Sequence, residues 1–284
     1  MKVIEPHIHM IARTTQDYER MARMRTVACC EPSFWAGYDR TSALAFHDYF
    51  THLTTFEPKR AAQYLIEHYC WICLNPKEAE NQELAREVLA FIPEFLDKPN
   101  VLGIGEIGLN KNTRNEMNVF ERQVEMALER GQLIWIHTPH LHDKLKGTRM
   151  MLDYLKGHGG VDPERVCFDH CEEHTIPMLR DAGFWTAMTI YPVTKNSAQR
   201  VVDAVERFGL DHQLVDASGD WGPSDPGTLH DALFEMRRRG HTEEHVETVF
   251  YNNPCYFLGQ SPHFKPRPTR PKEAAWNTVA GERL

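Results

Sequence analysis

Residues 101–109 read Val101-Leu102-Gly103-Ile104-Gly105-Glu106-Ile107-Gly108-Leu109. An apolar run of this kind, interrupted first by a single carboxylate, fits a strand covered on both faces, as in a parallel sheet flanked by helices. Working outward, similar short apolar runs recur at 3–9, 26–31, 69–74, 132–137, 165–170, 184–190 and 213–220. The intervening segments are longer and polar on one side. In 76–96, Leu84, Val88, Leu89, Ile92 and Leu96 form a stripe of helical period. Segments 118–130, 148–156 and 196–208 read the same way, and a last helix from 242 is expected to stop before Pro254.

Eight strands alternating with helices, with no long succession of strands, predict an α/β fold of the closed (β/α)8 (TIM barrel) type. Such a barrel takes roughly 250 residues, so a chain of 284 residues accommodates one. We place the barrel at 1–260 and a tail rich in Pro and charge at 261–284, with Trp276 its one hint of docking. The segment 30–60 is long for a connection and carries Phe34, Trp35, Tyr38, Phe46, Tyr49 and Phe50. It reads equally as a pocket wall or as a packed loop.

A net charge of −8 argues against binding nucleic acid through its backbone alone. It leaves room for a local basic cleft or for a phosphate bridged by metal ions. No run approaches the roughly 20 apolar residues of a spanning helix, and Glu5 and two histidines interrupt any signal-like start. Seven scattered cysteines do not form a disulfide framework. The expectation is a cytoplasmic protein without membrane contact; oligomeric state is not legible. Sixteen histidines point to metal or proton chemistry.

The ends of the predicted strands carry that chemistry. His7 and His9 stand two residues apart at the end of the first, where alternation turns both to one side. Further runs end in Glu106, His137, His170 and Asp220. Barrel active sites lie at the C-terminal strand ends, and five strands placing metal-competent groups there are hard to ascribe to chance. Imidazole and carboxylate suit hard or borderline divalent ions. Glu106 can bridge two ions, and a water between ions roughly 3.5–4 Å apart becomes hydroxide near neutral pH. Asp220 can hold that water, take its proton and deliver it to a leaving group. Zinc is the first choice, with manganese, iron or magnesium compatible with the same ligands.

The elements His7-Ile8-His9, Gly105-Glu106-Ile107-Gly108-Leu109, Trp135-Ile136-His137, Asp169-His170 and Gly219-Asp220-Trp221-Gly222 occur in an order and spacing that resembles the TatD-type hydrolases of the amidohydrolase superfamily. The resemblance covers about residues 1–260, with GEIGL its most specific element. It implies one ion on His7, His9, Glu106 and Asp220, and a second on Glu106, His137 and His170. Three departures mark a rebuilt substrate wall. Leu74-Asn75-Pro76 stands where these nucleases carry histidine before proline. Thr138-Pro139-His140 replaces an arginine-containing turn, and Cys171-Glu172-Glu173 is acidic.

Competing motifs carry less. Gly103-Ile104-Gly105-Glu106-Ile107-Gly108 spells a dinucleotide fingerprint, but no helix opens within it to receive a pyrophosphate. His170 to His174 and His241 to His245 both spell H-x-x-E-H; the first begins at a strand end, and the second lacks a third ligand. Cys70 and Cys73 point to opposite faces of a strand. Asp216 competes with Asp220 but is expected deeper in the barrel. Trp35, His140 and Trp221 are candidate substrate contacts. The sequence thus predicts a hydrolase of a small-molecule ester, phosphoester, amide or lactone. The alternatives are a TatD-like DNase or phosphodiesterase, for which Lys144, Lys146 and Arg149 are the few basic candidates, and a metal-containing binding or assembly protein without turnover.

Overall fold

The computed structural model describes residues 1–139 and 142–273. Its eight strands are β1 (Val3–Glu5), β2 (Thr26–Pro32), β3 (Glu67–Ile72), β4 (Val101–Gly108), β5 (Leu133–His137), β6 (Val166–Asp169), β7 (Trp185–Thr189) and β8 (Gln213–Asp216). All neighbours are parallel and follow chain order. The ring is completed beyond the strands, where Ile8 bridges Gly219 in parallel. There Ser218 N donates to His7 O at 2.7 Å and His9 N to Gly219 O at 2.8 Å. The fold is the expected (β/α)8 barrel.

The first and last strands are shorter than the apolar runs suggested, for local reasons. Pro6 has no N–H for the ladder, and the next amide, His7 N, donates to Glu5 Oε1 at 3.1 Å. The same oxygen accepts Ala217 N at 3.2 Å, so one buried carboxyl receives both sides of the seam. Ser218 then takes a left-handed backbone with φ 43°, which turns the chain out of β8.

The glycines of β4 serve close packing. A Cβ on Gly103 would lie 2.2 Å from Leu133 O, and one on Gly105 would lie 2.5 Å from Trp135 Cβ. Only glycine lets β4 approach β5 this closely, which accounts for the fingerprint spelling without a nucleotide. Below the site the barrel is filled by Trp71, Trp135 and Trp185, all buried, with Phe257 packed against each of them. The tail continues this plug: Phe264 is fully buried and meets the Tyr69 ring at 4.9 Å. Trp276 lies outside the described residues.

The predicted helices form, each with its own stop. The 76–96 stripe becomes a turn at Pro76–Glu78 and helices Gln82–Phe91 and Pro93–Leu96, divided at Pro93. Helix Arg114–Glu129 starts on a capping box of Thr113 and Glu116. The helical path from Glu243 does not stop before Pro254. A π-turn over Thr248–Asn252 re-phases the backbone, and Pro254 enters the first turn of Asn253–Leu258, where it needs no N–H. The aromatic segment 30–60 divides its roles. Phe46, Tyr49 and Phe50 are buried around helix Ala43–Thr55, while Phe34 and Trp35 reach the cavity at the barrel mouth. All seven cysteines are buried and unpaired.

Candidate metal centre

The four histidines expected as ligands, His7, His9, His137 and His170, come together at the C-terminal strand ends. His7 Nε2 and His9 Nε2 are 2.9 Å apart. Glu106 Oε1 meets His137 Nδ1 and His170 Nε2, each at 2.8 Å. Ligand atoms of His7, His9 and Glu106 lie within 4.8 Å of one another, and so do those of Glu106, His137 and His170. Glu106 is common to both groups. A third group joins His7, Asp169, His170 and Asp216.

Asp220 is in none of these groups. Its Oδ1 accepts the Tyr191 hydroxyl at 2.8 Å and Gly222 N at 2.7 Å, on the cavity wall. Of the two acids, it is Asp216 and not the expected Asp220 that falls in a candidate ligand group. β8 ends at Asp216, the Ser218 turn follows, and Asp220 is carried to the rim. Asp216 is fully buried, and neither of its oxygens has a hydrogen-bond partner. Burial, with Asp169 and Glu5 nearby, holds it well above the usual carboxylate range.

Asp169 is a residue that strand alternation hides. His170 adopts a left-handed backbone with φ 56°, so both neighbours face inward. Asp169 Oδ2 takes His7 Nδ1 and accepts Trp135 Nε1 at 2.9 Å. A carboxylate on the far nitrogen fixes the ring and leaves Nε2 directed at its partners. Asn75, the departure at the third strand, donates its amide to Glu106 Oε2 at 3.2 Å.

The electrostatics suit a cation. Burial holds His170 down to about 3 and His9 well below its ordinary value, so both present lone pairs. Burial would raise Glu106, but His137, His170 and His7 around it keep it ionised. Buried neutral imidazoles, an ionised shared glutamate and an unpartnered aspartate form a donor set that a divalent ion satisfies.

Above the centre lies a cavity of about 550 Å³. Phe34 stacks on His9 with ring centroids 3.8 Å apart, and Trp35 and Trp221 meet edge to face at 5.8 Å. Both expected tryptophans thus line the cavity, while His140 lies outside the described residues. Lys77 and Lys195 also line it; no sequence pattern singled out Lys195, because it sits in a loop. The acidic departure turns aside: Glu173 pairs with Arg200 at 2.7 Å, and Glu172 faces Lys144 at 3.7 Å. Lys144 is buried and donates to His170 O at 2.6 Å, so it supports the site from behind and adds nothing to a basic groove.

A parallel barrel whose strand ends bring two imidazole groups onto one shared glutamate has the make-up of a metal-dependent hydrolase. The chain belongs to the TatD family, since the family model described as TatD related DNase matches residues 15–258. His7 and His9 precede the matched span and stand on the geometry above. An uncharacterised metal-dependent hydrolase of Methanocaldococcus jannaschii is 26% identical over 258 residues, covering 88% of this chain and 97% of that protein. The crystal structure of a TatD-like protein from Archaeoglobus fulgidus superposes with a TM-score of 0.74 at 21% identity, covering 90% of this chain and 99% of that one. A mutant organophosphorus hydrolase gives 0.65 at 15% identity, covering 90% and 92%. The two solved structures show the fold. No described helix is long and apolar enough to cross a membrane.

Proposed function

We propose that the protein hydrolyses a small-molecule ester, phosphoester, amide or lactone with two divalent ions, zinc first among them. His7, His9, Glu106 and Asp216 would hold one ion, and Glu106, His137 and His170 the other. The observation that carries this reading is the position of Glu106 Oε1, at 2.8 Å from both His137 and His170 and in a common group with His7 and His9. Bound divalent ions supply Lewis acidity and make water a nucleophile near neutral pH.

The chain's own residues supply the rest. Asp169 orients His7, and Asn75 orients Glu106. Phe34, Trp35 and Trp221 present an apolar wall that excludes water from the substrate body. A proton carrier has to meet the substrate. Asp220 lines the cavity, and Tyr191 and Gly222 N hold its Oδ1. Asp220 therefore takes the proton from the attacking water and returns it to the leaving group, while Asp216 stays at the floor.

A nucleic-acid phosphodiester is the second reading, favoured by the description of the family model. Against it, the cavity lining carries only Lys77 and Lys195 as cations among the described residues, and a strand-binding groove needs a cationic track. Elemental analysis of wild type, Glu106→Ala and Asp216→Ala, with a hydrolysis screen on small esters, phosphoesters, amides, lactones and a single-stranded oligonucleotide, tests both. About two ions per chain in wild type and a sharp fall in Glu106→Ala are expected. A wild type that binds no added zinc or manganese would overturn the proposal.

A further inference from the structure

The connection after β7 is a closed loop that delivers one ammonium group to the cavity. Ile190 bridges Asn196, Tyr191 N donates to Asn196 O at 3.1 Å, Asn196 N donates to Thr189 O at 3.1 Å, and Lys195 N donates to Tyr191 O at 3.3 Å. Asn196 is pinned from below, its amide donating to Cys171 O at 3.1 Å. The loop tip, Val193, is fully exposed, while Lys195 folds inward. Its Nζ donates to Ser218 Oγ at 3.1 Å and lies 5.3 Å from the centre of the Tyr191 ring.

The partners this ammonium lacks are as telling as those it has. It stands among Asp169, Glu106, Asp216 and Asp220 and feels the charge of each. Yet no carboxylate lies within 4 Å of it among the described residues. A lysine serving only to neutralise the acids would close on one of them. Here one hydrogen bond to a neutral hydroxyl uses one of three N–H donors. The others are left beside the candidate metal ligands, in the cavity. Across the same cavity, Lys77 Nζ lies 4.8 Å above the Trp35 ring.

We propose that Lys195 binds an anionic oxygen of the substrate beside the scissile bond, so that this enzyme acts on small substrates that join a phosphate or carboxylate to a flat apolar body. Trp35, Trp221 and Phe34 form the slot for that body. The loop fixes Lys195 before the substrate arrives, which limits the entropy lost on binding. Lysine is suited to this task as a point charge with rotatable donors. The inference rests on this cavity being the hydrolytic site, but its test separates the two.

The experiment is calorimetric titration of the metal-loaded protein with phenylphosphonate, benzoate and benzyl alcohol, in wild type, Lys195→Met, Lys195→Gln and Lys195→Arg. Metal content and melting temperature are recorded for each, and Lys195→Gln keeps polarity should the methionine variant fail to fold. Loss of a charge-assisted hydrogen bond is expected to weaken both anions about tenfold or more in the uncharged variants. Lys195→Arg should stay within about threefold of wild type, and benzyl alcohol should bind all variants alike. The stronger wild-type anion identifies phosphate or carboxylate as the natural group. Anion binding unchanged in Lys195→Met and Lys195→Gln, or absent from wild type, would overturn the proposal. Anion binding that depends on Lys195 in a protein that hydrolyses none of the screened substrates would sustain it while removing the hydrolase reading.

Discussion

Asn75 donates its side-chain amide to Glu106 Oε2 at 3.2 Å, while the other oxygen of that carboxylate faces His137 and His170. The residue that departs from the pattern of the TatD nucleases therefore acts on the shared glutamate. A hydrogen bond of this kind sets the direction of a carboxylate and holds it ionised. Asn75→Ala should weaken metal affinity by about 10- to 100-fold, the usual effect of losing an outer-shell partner. Competition with a chelator of known affinity measures it, and Asn75→Asp should be worse than Asn75→Ala because it sets a second carboxylate against Glu106.

The two acids at and just beyond the end of β8, Asp216 and Asp220, are expected to fail differently. Asp216→Asn should lower metal content, because its oxygens have no other partner. Asp220→Asn should leave metal content near wild type and reduce kcat by about 10²- to 10⁴-fold, the range of general acid–base groups. Elemental analysis alongside steady-state kinetics on the best substrate from the screen separates them. Loss of metal from Asp220→Asn with retention in Asp216→Asn would return the ligand role to Asp220.

A second buried pair, away from the cavity, gives a pH signature. His68 Nε2 and Glu31 Oε2 are 2.9 Å apart and fully buried. Burial pushes Glu31 up to about 8 from an ordinary 4.5 and His68 down to about 4 from 6.5. Folded Glu31 thus keeps a proton that the unfolded chain releases, so its contribution falls as pH rises from 4.5 to 8. His68 has the opposite sign between 4 and 6.5, where the unfolded chain binds the extra proton. The two oppose each other below 6.5, leaving a net decline between 6.5 and 8. Melting temperatures across that window should fall in wild type, and Glu31→Gln should flatten the slope.

The start of the tail is expected to contribute to stability. Phe264 closes the barrel floor against Tyr69, and deleting a buried phenylalanine side chain costs about 3–5 kcal/mol. Phe264→Ala should lower the chemical denaturation midpoint while metal content stays unchanged. A variant of wild-type stability would show that the segment after Ser261 is dispensable to the barrel.

Much of the architecture was legible because buried parallel strands are written as apolar runs, and five of those runs end in an expected ligand, an imidazole or carboxylate that packing alone does not call for. Glu106, His137 and His170 could be read one strand at a time. What escaped reading depends on single backbone turns. The φ of Ser218 decides that Asp216 enters the cluster and Asp220 does not. The φ of His170 lets Asp169 face the same way as its neighbour, against strand alternation. Lys195 sits in a loop whose closure is made by main-chain hydrogen bonds that leave no trace in residue type. The continuation through Pro254 likewise depends on one turn of wider helix.

The seam between His7, His9, Ser218 and Gly219 gives the site a history as well as a shape. One ligand group, Glu106 with His137 and His170, comes from β4, β5 and the residue after β6, the middle of the chain. The other draws on residues from opposite ends of the barrel, which become neighbours only when β8 docks beside β1. An ion held there would tie beginning to end like the pin of a clasp, adding its binding free energy to the most distant contact of the fold. If the proposed ligands hold, the second group would be complete only once the last strand has docked beside the first.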